Sequence, residues 1–117
     1  VLGPKQALAA LAVTSAPLVL IGHSHFPLAI SLDGVRVLGG SAAAGHEADL
    51  AEGRWLLNPG SVGQPRDGDP RAAWLLLDTD AARASFRRVE YPVALTQAEM
   101  RAGGLPEMLA ARLTHGA

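Results

Sequence analysis

Hydrophobic residues fall in short runs separated by proline, glycine and acidic residues, and the runs define the elements. Leu18-Val19-Leu20-Ile21 has no polar alternation, which predicts a strand covered on both faces, as in a sheet that carries helices. Before it, Pro4 to Val13 reads as a helix: Pro4 suits the first helical position, Lys5, Gln6 and the alanines favour helix, and Leu8, Leu11 and Ala12 share a face. Pro17 resets the backbone between the two. Leu28 to Leu32 and Val35 to Leu38 flank Asp33-Gly34, a strong two-residue hairpin signal. Gly39 to Gly53, rich in alanine, glycine and acidic residues, reads as a long loop. Arg54 to Leu57 is a strand that runs into the turn cluster Asn58-Pro59-Gly60-Ser61, and Val62 to Pro70 stays irregular. Ala72 to Leu77 and Ala84 to Tyr91 are strands joined through a turn at Asp78 to Asp80. Phe86 and Val89 fall on opposite faces of the second of these, which predicts a bulge or an edge position. Thr96 with Glu99 reads as a capping box for a helix stopped by Gly103-Gly104. Pro106 opens a last helix, with Leu105, Leu109 and Leu113 along one face before Gly116. The order predicts an α/β fold with mostly antiparallel strands and two C-terminal helices.

Composition narrows the function classes. The chain has 117 residues, 49% of them hydrophobic, which suits one domain or part of one. Ten basic and eleven acidic residues give a net charge of -1, so there is no basic footprint for nucleic acid and no polybasic membrane patch. The absence of cysteine excludes disulfides, zinc ribbons and thiol nucleophiles, and fits a cytoplasmic setting. The run from Leu8 to Ile21 is too short and too broken by Thr14, Ser15 and Pro17 to span a bilayer, and no signal peptide is read. A chain opening at Val1 reads as a truncation, an incomplete reading frame or a processed product.

Candidate chemistry sits at the end of the first strand, in Gly22-His23-Ser24-His25. Two imidazoles one residue apart at a strand end are a metal-ligand arrangement, because α/β folds gather ligands there. Gly22 reads as the residue whose free φ makes the exit turn. A histidine-triad nucleotide hydrolase would need a third histidine at the next alternate position, which is Pro27. In Asn58 to Ser61 the plain reading is a turn; the functional one has backbone N–H groups and the Ser61 hydroxyl facing an anion. Arg66 is either a bidentate phosphate contact or a solvated arginine paired with Asp67 or Asp69, and Arg71 is a weaker candidate of the same kind. His46, beside Glu47 and Asp49, reads as exposed; as a third ligand it would make a single-zinc site with His23 and His25. His115 reads as a residue of a frayed end, and Trp55 and Trp74 as core or interface residues.

Gly22-His23-Ser24-His25, followed by the run from Leu56 through Asn58-Pro59-Gly60-Ser61 to Gln64-Pro65-Arg66, resembles the calcineurin-like metallophosphoesterases, and most closely their small bacterial and archaeal phosphodiesterase branch. The resemblance extends through Asp67 to Ala72, the strand pair to Tyr91 and the ending around Gly104-Leu105-Pro106, nearly the whole chain. It implies the C-terminal half of a four-layer α/β/β/α sandwich, with residues 1–117 as the C-terminal part of a single domain. By that pattern His23 binds one divalent metal and His25 the other; manganese, iron, zinc and nickel all accept imidazole with carboxylate, so the histidines alone do not choose among them. Ser61 and Arg66 become substrate contacts, and Gly22, Asn58 and Gly60 shape the loops. The implied activity is hydrolysis of phosphodiester or phosphoanhydride bonds, of a nucleotide or other phosphoester, by a hydroxide activated between two metals.

The family's Asp-x-His, Gly-Asp-x-x-Asp and Gly-Asn-His motifs, which supply the remaining ligands, do not occur here; Gly45-His46-Glu47 is the nearest look-alike and lacks the asparagine. The isolated chain is therefore expected to be inactive and to need the N-terminal half or a partner chain. With one sheet face bare, it is expected to form homo-oligomers or to aggregate. The alternative from another class is a noncatalytic scaffold or split subunit derived from the same fold.

Overall fold

The computed structural model describes residues 3–117; Val1 and Leu2 lie outside the described residues. In chain order the elements are α1 (Pro4–Ala12), β1 (Leu18–Leu20), β2 (Pro27–Asp33), β3 (Arg36–Ser41), β4 (Glu47–Asp49), β5 (Arg54–Pro59), β6 (Ala72–Asp78), β7 (Arg83–Val89), α2 (Val93–Ala102) and α3 (Glu107–Ala111), closed by a 3₁₀ turn, Arg112–Thr114. One sheet has the order β1-β5-β2-β3 and the other β4-β7-β6. Every pairing is antiparallel except β1 with β5. Among the described residues no helix is long and apolar enough to cross a membrane.

The two sheets face each other across Ala29, Ala42, Ala48, Leu57, Ala84 and Phe86, with Leu18, Trp55, Leu75 and Leu77 at the margins. Alternation along β2 and β5 sends Ile30 and Leu56 to the opposite side, where Ala7 and Leu11 of α1 cover them. The layers are thus helix, sheet, sheet. This corrects the expectation of a bare inter-sheet face: both sheets lie within the chain and pack on one another. What stays uncovered is local. Leu20, which shares the inter-sheet face of β1 with Leu18, is 53% exposed, because β1 is an edge strand with no opposing strand over its end. The expectation that both faces of this strand are covered therefore fails at Leu20.

α1 buries Ala7 and Leu11, and Leu8 and Ala12 are exposed, so its packed face is rotated from the expected one. Small alanines let the helix lie close on the sheet. Its last turn is held from β5: Arg54 donates to the carbonyls of Leu11 (2.9 Å), Thr14 (2.6 Å) and Ala16 (3.2 Å). A cation over free C-terminal carbonyls satisfies groups that a helix leaves unpaired.

The hairpin forms, with its turn at Gly34-Val35 between the paired Asp33 and Arg36. Gly34 has φ +57 and Val35 does not, so the glycine takes the first central place of the turn. Beyond it the predicted Gly39–Gly53 loop is largely strand. Gly39 and Gly40 pair with Ile30 and Ala29 in β3, and β4 pairs with β7. A glycine-rich run is poor strand sequence by propensity, but here close packing requires it: a Cβ on Gly39 would lie 2.2 Å from the Ala29 carbonyl oxygen.

β7 is neither bulged nor at an edge. Its register with β6 is continuous from Arg83 to Val89, and it is the central strand of its sheet. The alternation breaks because the inward place after Phe86 belongs to Arg88, whose side chain is 4% exposed and ion-paired with Asp67 and Asp69. Val89 is left on the outer face with Trp74 and Leu76. α2 begins at Val93 after Pro92 and has no side-chain cap, so Thr96 lies inside the helix and makes no capping box with Glu99. Leu113 is buried, Leu105 is exposed before α3 begins, and Ala110 takes the inward place expected of Leu109. The end of the chain is pinned, not frayed: the Gly68 N–H donates to Gly116 O at 2.9 Å, and Arg112 bonds the Ala117 carbonyl. His115 itself is exposed.

Candidate functional site

β1 ends beside β5, and the segment 22–26 leaves the sheet there. Main-chain pairing runs to the Ile21 N–H, which donates to Leu57 O at 2.9 Å. One residue further a side chain takes over: Asn58 Nδ2 donates to Gly22 O (3.3 Å) and to Ser24 Oγ (3.0 Å). Asn58 Oδ1 accepts the Gly60 N–H at 3.0 Å. Asn58, in the strand and not in a turn, is 0% exposed, so the amide itself is out of solvent while its partners in the loop are partly exposed.

The left-handed conformations of this loop fall on the histidines. His23 has φ 74 and His25 φ 63, and Gly22 is not among the positive-φ residues. The expectation that Gly22 supplies the conformational freedom is thus corrected. Histidine in this region costs about 1–3 kcal/mol per residue and persists where the surroundings over-determine it. Such strain gathers at ligand sites.

His25 Nδ1 lies 2.7 Å from the main-chain oxygen of Gln64. A carbonyl oxygen only accepts, so Nδ1 carries the hydrogen, and in the neutral ring Nε2 keeps its lone pair. Metal-binding histidines are held in this way, with one ring nitrogen on a backbone carbonyl and the other free for the ion. His23 is exposed and makes no side-chain hydrogen bond among the described residues. The donor set fits a divalent transition metal in kind. In number it is only a fraction of a site, since among the described residues no cluster of three or more histidine, aspartate, glutamate or cysteine side chains forms. His46 does not join the pair. It lies on Phe86, with ring centroids 5.8 Å apart, so a His23–His25–His46 zinc site is excluded.

Gln64 also reaches the candidate substrate residues. Its side-chain oxygen accepts from Arg66 Nε (3.1 Å) and Nη2 (2.6 Å), and its N–H donates to Ser61 Oγ at 2.9 Å. Ser61 Oγ therefore serves the loop as an acceptor, while its own hydrogen stays available to an anion. Arg66 pairs with neither Asp67 nor Asp69, because those carboxylates are taken by Arg88 and Arg71. Asp69 is held down to about 2, first by hydrogen bonds from the Arg71 side chain, against the opposing effect of burial. Arg71 is thus a structural partner of Asp69.

Sequence reasoning missed Gln64 and underrated Asn58. Both were local polar residues in a proline- and glycine-rich run, indistinguishable from turn residues until the fold placed them beside the histidine loop. No family model matches the chain. The structure superposes on a crystal structure of a metallophosphoesterase from Sphaerobacter thermophilus over 100% of this chain and 50% of that one, with a TM-score of 0.93 and 42% sequence identity. The chain belongs to the calcineurin-like metallophosphoesterase superfamily. It has the architecture of half of such a fold, antiparallel-dominated sheets with two helices near the C-terminus. An uncharacterized protein of Methanocaldococcus jannaschii is 35% identical over 102 residues, 85% of this chain and 39% of that protein. The chain thus spans half the length or less of the metallophosphoesterase and of the archaeal relative it matches.

Proposed function

We propose that this chain supplies one part of a two-metal phosphoesterase site and is completed by a polypeptide equivalent to the other half of its relatives. The observation that carries the reading is the His23–His25 loop, with two left-handed histidines and the His25 Nδ1–H fixed on Gln64. His23 and His25 would hold the metals through imidazole nitrogen, His25 through Nε2. Two divalent metals, when bound, clamp a phosphate and provide a nucleophile at neutral pH. The chain's own residues do the rest of the work visible here. Gln64 fixes the His25 ring and holds Arg66 by its Nε and Nη2 edge, leaving Nη1 to bind a phosphoryl oxygen. Ser61 offers its hydroxyl hydrogen beside them. The substrate class is a phosphodiester or phosphoanhydride, manganese is the metal to try first, and a cysteine-free chain suits the cytoplasm.

The scaffold reading has one observation in its favour: the two sheets already share a core within the chain. One experiment separates the two. The chain is mixed with the segment of the Sphaerobacter protein that it does not cover, and manganese-dependent cleavage of bis-p-nitrophenyl phosphate is followed. The expected result is no turnover by the chain alone, turnover by the complex, and a loss of at least about 100-fold with His25→Ala, as expected when a metal ligand is removed. A stable complex without turnover would favour the scaffold. Turnover by the chain alone that His25→Ala abolishes would show the site to be complete without a partner.

A further inference from the structure

We infer that Asn58 is a positioning residue for the histidine pair: its buried side-chain amide, and not the loop's own backbone, sets the geometry in which His25 presents Nε2. The inference rests on the metal-site reading above and goes beyond it, since it concerns what holds the ligands.

Asn58 stands where the parallel ladder between β1 and β5 gives out. Leu57 is the register partner of Leu20 and accepts from the Ile21 N–H. The next residue on β5 turns a fully buried amide toward the departing loop. That amide makes three hydrogen bonds: to Gly22 O, on one side of His23, to Ser24 Oγ, between the two histidines, and from the Gly60 N–H. Only an amide offers two donors and an acceptor on one short side chain. Ser24 gives the loop little support by itself, with its N–H on Gly22 O (2.9 Å) and its hydroxyl at 3.5 Å from the Phe26 N–H. His23 and His25 flank the clamped Ser24, and each holds a positive φ that an isolated chain would not keep. The Gly60 bond ties the same amide to the strand end that leads through Ser61 to Gln64, whose carbonyl takes His25 Nδ1. Loop and acceptor are thus referred to one buried group. Without the clamp, His25 would lose the alignment with Gln64 O that makes Nε2 the free nitrogen.

The test reads the ring directly. Long-range ¹H–¹⁵N spectra of the metal-free chain at pH 8, where histidine is neutral, report which ring nitrogen carries the proton. Wild type is expected to show His25 protonated at Nδ1. Asn58→Asp keeps the shape, removes both donors and is expected to shift His25 toward a mixture with the Nε2–H form, with the dispersed Trp55 and Phe86 signals retained. A titration with zinc ion alone, followed on the His25 ring, should weaken by about 10-fold or more, as for other residues that orient metal ligands. Unchanged tautomer and zinc binding in a folded Asn58→Asp chain would overturn the inference. Ser24→Ala covers the case in which Asn58→Asp does not fold. It should move both readouts in the same direction, and no movement would count equally against the inference. A wild-type chain that ignores zinc while its tautomer still depends on Asn58 would uphold the positioning role and overturn the metal reading.

Discussion

The histidine loop inverts the usual division of labour between glycine and its neighbours. Gly22 has nothing within 4 Å of a would-be Cβ and no positive φ, whereas His23 and His25 carry the left-handed conformations. Gly22→Ala is therefore expected to leave stability within about 0.5 kcal/mol of wild type, as at an unstrained open site. Gly39 is the opposite case, with φ +97 and a Cβ position 2.2 Å from Ala29 O. Gly39→Ala should cost about 3 kcal/mol, from backbone strain and a contact that main chain cannot yield. Urea unfolding of the two variants side by side measures the contrast. Equal effects would mean that the loop's strain is placed elsewhere than at the histidines. The sequence ranked the two the wrong way, assigning the free φ to Gly22 before the histidines and leaving Gly39 in a loop. The difference is set by what lies across the sheet.

At the scale of elements, legibility followed local pattern and failed where a distant partner decided. The β2–β3 hairpin, the apolar runs of β1, β5 and β6, and both C-terminal helices were readable because turn residues and apolar spacing are local signals. Most of the candidate loops were readable as loops. The strand character of Gly39–Ser41 and Glu47–Asp49 was not, because β2 and β7 impose it from outside. Nor was the inward arginine of β7, which is satisfied by the Asp67 and Asp69 carboxylates and the Asp69 and Arg71 main-chain oxygens of the loop before β6. That ion network gives a pH prediction. Asp69 is ordinarily near 3.8 and is held to about 2 in the fold, chiefly by hydrogen bonds from Arg71. A carboxyl depressed in the folded state contributes stability above its unfolded pKa and loses it as pH falls through the folded one. The contribution is thus full above pH 4 and fades between about pH 4 and pH 2. Because Arg71 is half in solvent, about 1 kcal/mol is expected in place of the larger value the shift alone would give. Asp69→Asn should be less stable than wild type by that amount at pH 5, and the gap should close toward pH 2. A gap that persisted at low pH would place the effect in packing and not in the charge.

For the whole molecule, size and shape are consistent with the proposed completion by a second half. The radius of gyration is 15.9 Å with extents of 50 × 27 × 19 Å, against about 13 Å for a compact chain of this length. The elongation has identifiable sources. α2 has no buried residue, and Gln97 ties it to Ala110 O (2.8 Å) and Thr114 Oγ1 (2.9 Å) of the adjoining C-terminal segment. At the other side, Leu20 stands uncovered on the inter-sheet face of an edge strand. A helix whose inner face is only half-buried and a leucine without an opposing strand are weakly held, and such regions open at low free energy. On the proposed reading, the complementary half pairs along β1 and covers Leu20. Amide exchange then has a defined pattern. In the chain alone, α2 and β1 should exchange early, whereas β2, β5 and β7, central in their sheets, should exchange late. Adding the uncovered segment of the Sphaerobacter protein should slow β1 by about 10-fold or more, since binding that excludes opening shifts it by mass action. Leu20→Lys should remove that protection and leave β7 unaffected. Protection confined to α2, with β1 still exchanging freely in the complex, would move the interface to the helical end of the molecule.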